Sequence, residues 1–216
     1  MAETDGNPLL RYMVDDPEAF AQNLARALEQ AGKAAAAYLK PRETGETSID
    51  MSADIANVTK TLAQVGEYWL ADPQRTIAAQ NRLVGGWIDL WSSTLKRMSG
   101  EPAAPVAEPD PKDKRFQDPE WKDNAFFDFV KQFYLITSRW AEDLVDDAGS
   151  LDERTRAKAD FYVKQITAAL APSNFLMTNP ELLRETMATN GENLARGLKM
   201  LAEDIAAGGG DLKIRQ

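Results

Sequence analysis

Carboxylates are the residues best placed to do chemistry in this chain, because the common nucleophiles and metal ligands are missing. Its 216 residues include no cysteine and no histidine. That removes disulfides, thiolate and imidazole metal ligands, and the Ser-His and Cys-His pairs of acyl transfer. Two acidic pairs remain, Asp15-Asp16 and Asp146-Asp147. A carboxylate-only site for Mg²⁺ or Ca²⁺ is chemically open, but neighbouring residues on a helix point about 100° apart and both pairs sit at helix ends, which favours structural or solvated roles. Asp16 reads as a helix cap, and Asp146 and Asp147 as residues of an exit turn. Ser93 and Lys96 fit the S-x-x-K spacing of serine acyl enzymes, but the S-D-N and K-T-G partners are absent. Both read as solvent-side residues of an amphipathic helix. Gly208 to Gly210 follow a helix rather than a strand, so they are not a phosphate loop. No catalytic residue, metal site or cofactor is expected.

Charge narrows the partners. The chain carries 25 basic and 34 acidic side chains, a net −9, spread along its length. Such a field repels nucleic acid, and the basic cluster Lys112, Lys114 and Arg115 sits among prolines as a solvated linker. The start lacks a signal peptide's basic end and apolar core, and no run is apolar enough for a transmembrane segment. The reading is cytoplasmic.

The elements that must position these groups are helices. Asp16 and Pro17 open a first helix reaching about Leu39, with an apolar face of Phe20, Leu24, Ala27, Ala31, Ala35 and Tyr38. Nine alanines between Pro17 and Leu39 give it high propensity but a thin face. A break over Pro41 to Thr47 precedes a helix from about Ser52 to Leu70, and Asp72-Pro73 starts a third. There Ile77, Val84, Ile88, Trp91, Leu95 and Met98 form a stripe that reads as a core face. Gly85-Gly86 interrupts it, for a kink or for close approach of a neighbour. Five prolines between Ser99 and Glu120 mark a linker.

Beyond the linker the pattern is denser. Asn124 caps a helix to about Val145 whose expected core face includes Phe126, Phe129, Val130, Phe133 and Trp140, widened by Phe127 and Tyr134. That face is wider than one neighbour needs, so the helix should be sandwiched between two partners. Ser150 and Glu153 spell a capping box for a helix to about Leu170. Asn179-Pro180-Glu181 opens one long helix with a seam of Leu183, Met187, Asn190, Leu194, Leu198, Leu201 and Ile205. The seam reads as core packing, with a coiled coil between subunits as the alternative. After Gly208 to Gly210, Leu212 and Ile214 alternate with charges in a β-strand period. Phe175, Leu176 and Met177 form an apolar patch in a connection and need a surface to pack on.

The segment DKRFQDPEWKDNAFFDFVKQFYLITSRW (113–140) resembles the N-terminal region of class I poly(3-hydroxyalkanoate) synthases. So do FYVKQI (161–166), PSNFLMTNPE (172–181), GENL (191–194) and the Gly-rich turn into Lys213-Ile214. The likeness is strong from Asp113 to Gln216 and loose before Gly100. It implies an enzyme that condenses 3-hydroxyacyl-CoA onto a polyester held on a cysteine of an α/β-hydrolase domain, with an Asp and a His completing the triad. None of those three residues falls on this sequence. The family's N-terminal region is implied to support dimerisation and activity and to contact the polyester granule and its coat proteins.

The resulting expectation is an all-α, bundle-like N-terminal domain. Residues 1–98 form a mobile helical subregion, 99–120 a Pro-rich linker, 121–207 a packed helical subregion, and 208–216 a turn into a strand of an absent α/β-hydrolase domain. Phe127, Tyr134, Phe175, Leu176 and Met177 are the candidate contacts with the chain's own catalytic domain or with the granule. Phe126, Phe129, Val130, Phe133, Trp140, Leu183, Leu194, Leu198 and Leu201 are the candidate core. A homodimer, granule-coat proteins and a granule-associated location in the cytoplasm complete the reading. The rival is a free-standing granule-coat or scaffold protein, and a third reading is an unrelated oligomerisation module.

Overall fold

In a computed structural model of the chain, residues 11–43 and 51–208 are described. Eight α-helices occur among them: α1 (Pro17–Glu43), α2 (Met51–Leu70), α3 (Pro73–Met98), α4 (Glu120–Asp123), α5 (Ala125–Asp146), α6 (Glu153–Ala169), α7 (Pro180–Ala188) and α8 (Glu192–Ala207). The fold is all-α. The expected strand at Leu212 and Ile214 lies outside the described residues.

The helices divide into two compact units, and the division does not fall at the proline-rich stretch. One unit combines Met1–Asp50 with Glu181–Gln216; the other is Met51–Pro180. The expected boundaries, with a linker at 99–120, therefore differ from the observed ones. Ser93 Oγ donates to the Ala104 carbonyl at 2.9 Å. Gln132 Oε1 accepts from the Val106 and Ala107 amides at 2.7 and 3.1 Å. Arg139 bonds the Glu108 carbonyl. The prolines keep the backbone extended, and side chains of α3 and α5 satisfy what an extended backbone leaves open.

In the first unit α1 packs on α8 through small residues. Ala34 meets Ala202 and Ile205, flanked by Ala37 and Tyr38. Asp16 caps α1, its Oδ1 accepting from the Glu18 and Ala19 amides at 3.0 Å each. The helix continues through Pro41 to Glu43, past its expected end at Leu39. The long helix expected after Pro180 is two. Asn190 (φ 49°) and Gly191 (φ 78°) adopt left-handed backbone between α7 and α8, and the Gly191 amide closes on the Thr186 carbonyl at 2.8 Å. The turn is tied to α1: Asn190 Oδ1 accepts from the Asp16 amide, and Asn23 Nδ2 donates to the Asn190 carbonyl, each at 3.0 Å.

In the second unit, Asp72 caps α3 by accepting from Gln74 and Arg75 amides. The core joins Val65 and Trp69 of α2, Ala79 of α3, Val145 and Ala148 at the end of α5, and Ala159 of α6. At Gly86 α3 and α5 approach closely, since a Cβ there would lie 2.9 Å from Ile136 Cγ2. Close approach, rather than a kink, explains that glycine. Asn124 caps α5 as expected, accepting from the Phe126 amide. The cap of α6 is Asp152 and not Ser150: Asp152 accepts from the Arg154 and Thr155 amides and from the Thr155 hydroxyl.

Candidate docking face

Three of the groups whose types and spacing suggest chemistry, Asp16, Asp147 and Ser93, are spent on structure. Asp16 caps α1. Asp147 pairs with Arg82 at 3.0 Å on the surface. Ser93 is buried, not solvent-side, because its hydroxyl holds the proline-rich stretch. Among the described residues no cluster of three or more acidic side chains could hold a metal ion. No helix among them is long and apolar enough to cross a membrane.

The arrangement that remains is an apolar surface, and it is built by α3 and α5. Along α3, Ile77, Asn81, Val84, Ile88, Trp91, Leu95 and Met98 step by four or three residues, and every one is exposed. Trp91 and Ile88 leave 56% and 61% of their surface uncovered. This corrects the reading of the stripe as core. Periodicity shows that a face is apolar; it does not show that anything covers it. The face continues onto α5, where the Phe129 ring lies 4.7 Å from Trp91 and the Phe133 ring stacks on Trp87 at 5.1 Å.

The outward turn of α5 follows from what lies behind it. Its buried face is Phe127, Asp128, Lys131, Gln132, Leu135, Ser138 and Val145, four of them polar. Asp128 accepts from Lys131 Nζ at 2.9 Å and from Gln132 Nε2 at 2.7 Å, and pairs with the Arg97 guanidinium of α3. Lys131 also donates to the Trp121 carbonyl at 2.6 Å. The charges of this network are paired and link α3, α4 and α5, while Arg97 Nε is buried without a hydrogen-bond partner.

Phe126 and Phe127 thereby exchange their expected places. Phe127, expected as a docking residue, is 3% exposed and meets Trp121 edge to face. Phe126, expected in the core, is 55% exposed. Phe133 and Leu201, also expected in the core, are exposed. Phe129, Val130, Trp140, Leu183, Leu194 and Leu198 are half-buried. Tyr134 is half-buried, its hydroxyl accepting from Arg115 Nη1 at 3.0 Å. Arg115 is held by Asp113, whose hydrogen bonds from that guanidinium push its carboxyl below the usual carboxylate range. Phe175 and Met177 are exposed and Leu176 half-buried, on a loop tied to itself by Thr178 and Asn179 side chains.

The family described as poly-beta-hydroxybutyrate polymerase (PhaC) N-terminus matches residues 112–216. Over 205 residues the chain is 54% identical to the poly(3-hydroxyalkanoate) polymerase subunit PhaC of Rhizobium meliloti (strain 1021), covering 95% of this chain and 34% of the relative. It is 46% identical to the poly(3-hydroxyalkanoate) polymerase of Methylorubrum extorquens, covering 93% of this chain and 34% of that one. With the subunit PhaC of Cupriavidus necator the likeness is 36% over 96 residues, 44% of this chain and 16% of that one. The chain thus spans about a third of the length of the first two relatives. The likeness to those two extends well before Gly100, where the residues by themselves suggest only a common plan. No solved structure matches.

Proposed function

The chain belongs to the class I poly(3-hydroxyalkanoate) polymerase family, as part of its N-terminal region, and on that premise we propose a non-catalytic role in assembling an enzyme that polymerises 3-hydroxyacyl-CoA. The α3–α5 face carries this reading. Its four-three spacing, with apolar residues at all positions but Asn81, is the pattern by which helices pack side by side, and a single polar residue in such a seam sets register. The face supports dimerisation of the polymerase, and through it the activity of the α/β-hydrolase domain. The charge-free, apolar character of the Phe175–Met177 loop favours a second contact, with the polyester granule.

The test separates the two contacts. In sedimentation velocity the parent chain should dimerise with rising concentration, and a variant carrying Ile88→Asp and Leu95→Asp should stay monomeric with its helix content intact. Equal sedimentation of the two would overturn the dimerisation role. Phe175→Ser with Met177→Ser should leave dimerisation unchanged and lower recovery on purified polyester granules. Undiminished recovery would remove the granule contact.

A further inference from the structure

The second unit also contains a cleft, at a different place from the docking face. It has a volume of about 460 Å³ and is walled by all four long helices of that unit, with Leu62 and Val65 of α2, Leu144 of α5, and the rings of Trp69 and Trp140 among its lining. That size lies in the range of small-ligand pockets. Both indoles face it as pure hydrocarbon. Trp69 Nε1 donates to the Leu144 carbonyl at 2.8 Å, and Trp140 Nε1 to the Ala79 carbonyl at 2.9 Å. Neither ring has a donor left for a ligand; of the polar residues in the lining, Thr76 gives its hydroxyl to the Trp69 carbonyl and Gln80 is exposed, so the cleft suits a mainly apolar chain.

Gly66, in the middle of α2, lines the same cleft, and a Cβ built there would meet nothing within 4 Å. No positive φ and no close neighbour calls for glycine at this position. Glycine is a poor helix former, so what its presence does here is leave the space open.

A second cleft of about 300 Å³ shares Trp69 and Ala79 with the first, and Arg75 and Arg82 line it. Arg75 lies over the Tyr68 ring at 3.8 Å, donates to the Tyr68 carbonyl at 2.9 Å, and reaches Asp72 at 3.5 Å. Arg82 pairs with Asp147 at 3.0 Å, with both side chains about half exposed. An exposed pair of this kind is weak enough for another anion to compete for the guanidinium. Asp147 is the one carboxylate in the lining and opposes such an anion; two guanidiniums favour it.

We propose that these adjoining clefts bind an anionic amphiphile, its aliphatic chain in the apolar cleft and its head at Arg75 and Arg82. The inference goes beyond the docking role and depends on different residues, so either can fail alone. The head is a carboxylate or a phosphate, which share the charge that the arginines recognise.

Titrations of the full chain with decanoate, decyl phosphate and methyl decanoate, kept below micelle formation and followed by isothermal calorimetry, test it. Saturable binding of one or both anions is expected, about tenfold tighter than the uncharged ester. The anion that binds more tightly identifies the head. Arg82→Gln should abolish the advantage of anion over ester. Gly66→Leu, which fills the cleft, should weaken every ligand at least about tenfold while far-ultraviolet circular dichroism stays unchanged. If that variant does not fold, Gly66→Ala takes its place, with weaker binding expected. Absence of saturable binding to the parent chain overturns the proposal. So does equal affinity for anions and ester, or parental affinity in the folded Gly66 variant.

Discussion

Two helix pairs in this chain solve burial in opposite ways. Where α1 meets α8, the seam is apolar and small: alanines face alanine and isoleucine. Where α3 meets α5, the inner face of α5 is half polar and much of its aromatic face is open. The first pair buries small apolar residues and leaves larger ones, Leu28 and Met200 among them, exposed. The second shows that an amphipathic helix can turn apolar residues outward when the charges buried behind it are paired.

The largest expected effects test which face of α5 is core. Phe127→Ala should destabilise the chain by about 3–5 kcal/mol in urea unfolding, the range for truncating a buried aromatic. Phe126→Ala, one residue away, should fall within about 0.5 kcal/mol of the parent, as at an exposed site. Equal effects would erase the contrast. Asp128→Ala should cost about 3–5 kcal/mol, because it leaves Lys131 and Arg97 without their buried carboxylate. An unchanged midpoint would mean that the network does not hold the second pair together.

Smaller effects sharpen the contact between α3 and α5. Gly85→Ala should raise stability by up to about 1 kcal/mol through helix propensity alone, since its Cβ meets nothing. Gly86→Ala should lower it by about 1 kcal/mol, because its Cβ must displace Ile136, a β-branched side chain that yields little. Thermal midpoints that move in the same direction would contradict the tight approach at Gly86.

The smallest effect is electrostatic. The folded-state pKa of Asp113 is lowered, chiefly by its side-chain hydrogen bonds with Arg115. The pair therefore stabilises above the ordinary carboxylate range, and its contribution is lost as pH falls through the lowered value. Asp113→Asn should cost less than about 1 kcal/mol near neutrality, and parent and variant should converge in acid. A difference in stability that persists in acid would exclude this pairing as its source.

Much of the helical plan is legible in the sequence because caps are local. Asp16-Pro17, Asp72-Pro73, Asn124 and Asn179-Pro180 announce helix starts from adjacent residues, and the structure begins helices there. The break at Asn190-Gly191 carries a local signal too. Asn-Gly is a standard left-handed pair, but the leucine seam running through it suggests continuity. The exposed stripe of α3 is not legible, because Trp91 looks the same in sequence whether it is covered or open. The docking of the proline-rich stretch depends on side chains distant in sequence, Ser93, Arg139 and above all Gln132, whose partners lie about 25 residues away. No local pattern encodes such a contact.

The unit formed by residues 1–50 and 181–216 is discontinuous in the chain, and that sets an order of events during synthesis. α1 leaves the ribosome early, but its seam partner α8 follows only after the whole of the other unit. At about 5–20 residues per second the delay is roughly ten to thirty seconds. The alanine-rich helix must spend that time without its partner, with Leu24, Leu28 and Leu39 also open to other contacts. The second unit is local in sequence and has no such wait. A nascent chain stalled before α8 would present a finished α3–α5 face while α1 still lacked its partner.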